Sequence, residues 1–297
     1  MTLRRSSHFV PGANEKMLQK SIDGGADSLI LDLEDAVTPE NKASARATVA
    51  DWLRGVDFRG KERVVRMNPI ATEWGRADVE ETMEHPPDAY LVPKVNSADE
   101  LHELDRRILD EERRYGHRPR SVALLVLGTE TPLGTLNIRE LPFCPRVDAL
   151  TWGAEDLSAA IGARRNRNAA GEYLDVFAYG RVMTLLAATA ARVQPLDTVF
   201  VDFRNLEGLE RECEEAAAVG FTGKMTIHPN QIEIVNKAFS PTEDEIEESR
   251  ELLALAAEKR AEGLQAFTFR GQMVDVPHIA RAERTLAFAE ELEKLGA

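Results

Sequence analysis

Cysteine is almost missing from this chain of 297 residues: Cys144 and Cys213 stand far apart and form no CxxC spacing. That speaks against a disulfide framework and against a thiolate zinc site, and it suits a reducing compartment. Long apolar runs are missing too, since no window approaches the ~20 residues that span a bilayer. The paired Arg4-Arg5 is followed by Glu15, Lys16, Lys20 and Asp23 where a secretion signal needs an apolar stretch. A cytoplasmic protein without a membrane partner is expected. Positive charge is in deficit, with 37 Lys and Arg against 51 Asp and Glu, a formal net charge of -14 and a pI near 5.0. A nucleic-acid partner would call for the opposite balance. Neither GxGxxG nor GxxxxGK[ST] occurs, so the phosphate turn expected of a doubly wound sheet is lacking.

What is present is a regular alternation of short apolar strands and amphipathic helical stretches. The strands are expected at 6–11, 27–35, 62–69, 88–95, 121–130, 147–155, 196–203 and 222–228. Helix starts are marked by Asn14, by Thr38-Pro39 and by Ser97, which precedes Leu101, Leu104 and Ile108 at helical spacing. Eight such units predict an α/β fold, a (β/α)8 TIM barrel, over residues 1–240. Residues 241–297 add helical stretches at 242–262 and 277–295, a C-terminal helical appendage expected to pack on a neighbouring subunit.

The segment DSLILDLEDAV, Asp27 to Val37, raises a physical question, because an apolar strand runs into Asp32, Glu34 and Asp35. Bare carboxylates there are costly unless paired or used. A barrel answers it: active sites in this fold lie at the C-terminal strand ends. Reading each strand to its end collects Arg66 and Asn68, Lys94, Glu130, Glu155 and Asp156, Asp202, then Lys224 and His228. Strand alternation puts Ile30, Asp32 and Glu34 on the interior face, with Leu29, Leu31 and Leu33 toward the helices; Val64, Arg66 and Asn68 align likewise, as do Val126, Gly128 and Glu130. Asp35 points to the helix side as a cap, Lys94 neutralises Asp32 or Glu34, and His228 is a structural histidine. Carboxylates without His or Cys partners favour Mg²⁺ or Mn²⁺, with Glu130 and Asp156 on adjacent strands as a natural pair. Arg66 beside them implies an anionic substrate or a developing oxyanion.

The motifs RRSSHFVPG, LILDLEDAVTPENKASAR, VVRMNPIAT, YLVPKV, TETPLG, TWGAEDLSAAIG, GFTGKMTIHPNQI and GQMVDVPHIARA resemble the citrate lyase beta-chain-like family of the HpcH/HpaI aldolase group, close to malyl-CoA and citramalyl-CoA lyases. The resemblance implies Mg²⁺-dependent, reversible cleavage of a 3-hydroxyacyl-CoA thioester to acetyl-CoA and a 2-oxo acid. By position it implies Glu130 and Asp156 as metal ligands, Arg66 facing the thioester oxygen, and Asp275 as an acid–base group supplied by a neighbouring subunit. For that role the Asp275 pKa should be raised by burial at the contact. The functional form would be a homo-oligomer, a trimer or hexamer. Arg5 and Lys16 are candidate partners for the CoA phosphates. Two departures from the motif are His8, at a position usually apolar, and the run ahead of Glu130. Alternatives are a citrate lyase beta subunit acting on an acyl-carrier-protein thioester, a thioesterase or malate-synthase activity, and a noncatalytic acyl-CoA-binding homologue.

Overall fold

The computed structural model describes residues 2–295. Eight parallel strands close into a barrel in sequence order: β1 (Ser6–Pro11), β2 (Ser28–Asp32), β3 (Glu62–Arg66), β4 (Ala89–Val92), β5 (Ala123–Leu127), β6 (Val147–Thr151), β7 (Gln194–Asp197) and β8 (Gly223–Thr226), with β8 pairing back onto β1. Helices return the chain between them: α1 (Glu15–Asp23), α2 (Lys42–Gly55), α3 (Glu73–Thr82), α4 (Ala98–Tyr115), α5 (Pro132–Asn137), α6 (Ala154–Ala160), α7 (Asp175–Ala191), α8 (Leu206–Val219) and α9 (Ile232–Ala238). The TIM barrel expected from the strand count is the fold observed.

Local chemistry explains the boundaries. The Asn14 side chain accepts from the Met17 amide at the start of α1, and Ser97 accepts from the Glu100 amide at the start of α4. Gly116, at φ 75°, ends α4 in the left-handed region that glycine enters without a Cβ penalty. All five residues of β2 are buried, as expected for a strand covered on both faces. Ile30, Val64, Leu91, Leu125 and Met225 fill the barrel interior, while Leu29, Leu31, Leu33, Val65 and Val126 join the layer under the helices.

Three strand readings need correction. The seventh strand is Gln194–Asp197, not 196–203. The apolar run that suggested the longer strand leaves the sheet, and its Val201 and Phe203 are exposed. The eighth strand is only Gly223–Thr226, and Lys224 points away from the interior. In the fifth, the phase is the reverse of the expectation: Leu125 and Leu127 face inward and Val126 faces the helices.

The chain divides into two compact units, with the boundary between Lys237 and Ala238. The second contains α10 (Glu243–Ala261), a hairpin of β9 (Phe267–Phe269) and β10 (Gln272–Val274), and α11 (Val276–Leu295). Thr242 and Glu245 cap α10 reciprocally, and Leu252, Val274 and Ala282 form the core of this unit. Among the described residues, no helix is long and apolar enough to cross a membrane.

Candidate functional site

The barrel's C-terminal rim gathers a chain of charges that begins on β2 and β3. Asp32 and Arg66 are register partners, and the guanidinium meets the carboxylate at two points, Nε to Oδ1 at 2.7 Å and Nη2 to Oδ2 at 2.6 Å. The Phe9 ring lies under the guanidinium, 4.9 Å from its carbon. Arg66 Nη1 faces Glu34 Oε2 at 3.1 Å and Asp35 Oδ2 at 3.4 Å. Burial opposes the Arg66 charge, but Asp32 and its neighbours override it and raise the pKa further. Glu34 Oε1 accepts from Lys94 Nζ, whereas Oε2 is buried and accepts no directed hydrogen bond. Burial pushes the Glu34 pKa up against the pull of Arg66 and Lys94.

Lys94 bridges to the other side of the site. Its φ of 54° is left-handed, which costs a non-glycine residue roughly 1–2 kcal/mol. In that conformation its amide donates to Glu130 Oε2 at 2.7 Å, and its ammonium lies 3.2 Å from Asp156 Oδ1. The loop is stitched to the following one: Thr131 Oγ1 donates to Asn96 Oδ1 at 2.8 Å, and Asn137 Nδ2 donates to the Asn96 carbonyl at 2.8 Å. Burial works against the Lys94 ammonium, yet Glu34, Asp156 and Asp35 together raise its pKa.

Glu130 reaches the site from a turn beyond β5, not along the strand face that alternation had suggested. It is buried, and its carboxyl is pushed up to about 8, first by desolvation and then by the charges of Asp156 and Glu34; the Lys94 amide opposes the rise. Gly153 is required beside it, because a Cβ there would sit 2.7 Å from Glu130 Cγ. Asp156 occupies the first turn of α6. Arg66, Glu130 and Asp156 line one cavity of about 390 Å³, whose apolar wall includes Phe9, Met17, Trp152, Val199, Met225 and Ile227.

The donor set suits a hard divalent cation. Asp32, Glu34, Asp35, Glu130 and Asp156 carry five carboxylates against the two cations Arg66 and Lys94. Burial first, and then the negative charges of Asp156 and Glu34, raise the Glu130 pKa. No group of three or more His, Cys, Asp or Glu residues suited to a metal occurs among the described residues. Protein oxygens from Glu130 and Asp156 with the other positions left to substrate and water match the habit of Mg²⁺.

The other expected residues take varied positions. Arg5 precedes β1, at the opposite end of the barrel, with its guanidinium on Asp27 at 2.9 Å; that end is closed by buried Arg4, which holds Glu62 and Asp148. Lys16 is exposed on α1. Asp35 does not cap the turn at Pro39, where Thr38 is the N-cap residue; it turns to Arg66 and Lys94 because two cations face it there. Asn68 is structural, its amide and side chain both donating to buried Asp78. Lys224 is not at the rim: it lies fully buried in the barrel wall, paired with Asp197 at 3.0 Å and Glu212 at 2.8 Å. Asp202 is exposed in a turn after β7. His228 caps a short turn of helix and stacks on Phe203 at 4.8 Å. His8 faces Thr226, with Nδ1 at 3.0 Å from Oγ1, and burial pushes its pKa down to about 4. Asp275 belongs to the second unit, where its Oδ1 pairs with His278 Nδ1 at 2.7 Å.

Trp152 and Asp197 were not anticipated. The indole N–H donates to Asp197 Oδ1 at 2.7 Å, fixing a wall of the cavity from behind. The only sequence signal was an aspartate closing the short segment QPLD, hidden by the more apolar run after it.

Residues 5–229 match the family model described as HpcH/HpaI aldolase/citrate lyase. The chain is 36% identical to a citrate lyase subunit beta of Leuconostoc mesenteroides, over 97% of this chain and 93% of that one. It is 34% identical to a mitochondrial citramalyl-CoA lyase of Mus musculus, over 98% and 87%, and 36% identical to a (3S)-malyl-CoA thioesterase of Cereibacter sphaeroides, over 97% and 95%. Among solved structures, the CitE protein of Mycobacterium tuberculosis in complex with magnesium, acetoacetate and coenzyme A superposes with a TM-score of 0.80 at 34% identity, over 97% of this chain and 98% of that one. With its barrel, its rim of carboxylates and these relatives, the protein belongs to the HpcH/HpaI aldolase/citrate lyase family.

Proposed function

We propose that the protein is a Mg²⁺-dependent carbon–carbon lyase that reversibly cleaves a 3-hydroxyacyl-CoA, such as malyl-CoA or citramalyl-CoA, to acetyl-CoA and a 2-oxo acid. The observation that carries this reading is the oxygen pair of Glu130 and Asp156 in one cavity with Arg66. Glu130 and Asp156 would hold the ion. When bound, Mg²⁺ supplies Lewis-acid polarisation of the substrate hydroxyl and of the carbonyl that forms from it.

The chain's own residues do the rest. The substrate hydroxyl yields its proton to solvent and its oxygen becomes the carbonyl of the 2-oxo acid. As it does so, the C–C bond breaks and its electron pair moves onto the thioester oxygen as an enolate. Arg66 carries a permanent charge aimed from a rigid strand pair, so it stabilises that oxygen without reorganising. Asp35 is the partner it can release, since that side chain is 54% exposed whereas Asp32 and Glu34 are each only 4% exposed. The apolar walls from Trp152, Val199 and Met225 exclude water that would quench the enolate early. Asp275 of a neighbouring subunit would protonate the enolate carbon, and would take a proton from acetyl-CoA in the reverse direction. A homo-oligomer, trimer or hexamer, is then the functional form.

The test is incubation of the purified protein with Mg²⁺ and malyl-, citramalyl-, 3-hydroxy-3-methylglutaryl- and citryl-CoA, with products followed by mass spectrometry against an EDTA control. Metal-dependent acetyl-CoA plus a carbonyl product identifies the lyase and its substrate. Free CoA with an intact hydroxy acid would identify a thioesterase instead. Survival of all four would favour a carrier-protein substrate, as for a citrate lyase beta subunit. Asp275→Asn should bind Mn²⁺ and thioester normally yet lose turnover; full turnover would remove Asp275 from the chemistry.

A further inference from the structure

Lys94 touches both members of the carboxylate pair, through two different groups. Its amide donates to Glu130 Oε2 at 2.7 Å, leaving Oε1 on the Gly153 side. Its ammonium lies 3.2 Å from Asp156 Oδ1 while donating to Glu34 Oε1, with Asp35 Oδ1 a further partner at 3.5 Å. Toward a bound cation these contacts act in opposite senses. The amide orients one carboxylate and adds no net charge. The ammonium is a full positive charge on the other carboxylate. A cation ligated by Asp156 at the usual ~2.1 Å comes within about 5 Å of Nζ, where like charges repel strongly in a partly buried site. The ammonium is tied there by three carboxylates, and the left-handed backbone of Lys94 fixes where its side chain starts.

We propose that Lys94 holds the divalent-ion affinity of this site down, its ammonium opposing the ion that its amide helps to seat, so that the ion stays exchangeable. The inference rests on Glu130 and Asp156 being the metal pair. It separates from a purely supporting role by sign. If the ammonium served only to glue the carboxylates together, its loss would loosen ion binding; as a competitor, its loss tightens it.

The experiment is a Mn²⁺ titration of the full-length protein, with free Mn²⁺ counted by electron paramagnetic resonance. Lys94→Met and Lys94→Gly both remove the ammonium; glycine also accepts the left-handed backbone and keeps the amide. Each should bind Mn²⁺ about tenfold more tightly than wild type. Lys94→Arg keeps the charge and should stay within about twofold of wild type. The rise in melting temperature on adding Mg²⁺ after EDTA should be larger in the Met and Gly variants. Equal or weaker Mn²⁺ binding in the glycine variant overturns the proposal, and that variant decides if the methionine one does not fold. No Mn²⁺ binding by wild type, or binding indifferent to Glu130→Gln, would instead remove the metal-pair reading itself.

Discussion

Arg66 is aimed by Asp32 through strand register: the two are opposite one another on β3 and β2, and two hydrogen bonds of 2.7 and 2.6 Å fix the plane of the guanidinium. Neither side chain has to be ordered by substrate, since they are only 11% and 4% exposed. Orientation is therefore built into the barrel.

Asp32→Asn keeps the shape and removes the charge. Breaking a pair this buried should lower stability by about 3 kcal/mol, read as a fall in melting temperature. With Arg66 no longer held at two points, kcat/KM should fall on the order of a hundredfold. Wild-type kcat/KM in this variant would mean that Arg66 is oriented by something else.

Gly153→Ala tests the close approach to Glu130. A methyl group 2.7 Å from Glu130 Cγ must displace that side chain. Mg²⁺ affinity should drop by roughly ten- to a hundredfold, the range seen when a ligand's support is disturbed. Calorimetric titration with Mg²⁺ measures it, and unchanged affinity would show that Glu130 moves freely or is no ligand.

The Glu130 carboxyl, pushed up to about 8, gives a pH dependence with a definite sign. Its pKa is raised above the unfolded value, so its contribution to stability is full below about pH 4.5 and is lost as pH rises through about 8. In EDTA the melting temperature should drift down across that window. Mg²⁺ affinity should rise in the same window, by up to about tenfold per pH unit, because the ion binds the ionised form. Affinity that is flat from pH 6 to 8 would contradict this.

Lys224→Met separates the wall from the site. Lys224 is fully buried between Asp197 and Glu212, and its pKa is raised by them against the effect of burial. Losing it should lower stability by about 3 kcal/mol, while Arg181 and Trp152 still satisfy Asp197. Mn²⁺ affinity should stay near wild type; a large loss would return Lys224 to the site.

The sequence was most readable where period-2 alternation met a sharp change of polarity. Leu29, Leu31 and Leu33 against Ile30 and Asp32 located the interior of β2 correctly, and Arg66 followed in register. Glu130 was found by an alternation that β5 does not have; the chain turns after Leu127, and the carboxylate arrives by that turn. The left-handed backbone of Lys94 left no trace, because lysine does not announce a positive φ as glycine does. Lys224 misled for another reason: an ion buried between a barrel and its helices looks, in sequence, like an ion at a strand end. Arg5 misled because a charge before the first strand belongs to the closed end of the barrel.

The most direct measurement is acetyl-CoA release from citramalyl-CoA and malyl-CoA across a Mg²⁺ titration, in wild type, Glu130→Gln and Asp156→Asn. Release by wild type should be saturable in Mg²⁺ and abolished by EDTA. Either substitution should cut it by at least about a hundredfold and shift the Mg²⁺ requirement upward. Release that continues in EDTA, or at the wild-type rate in both variants, would contradict a metal-dependent lyase built on Glu130 and Asp156.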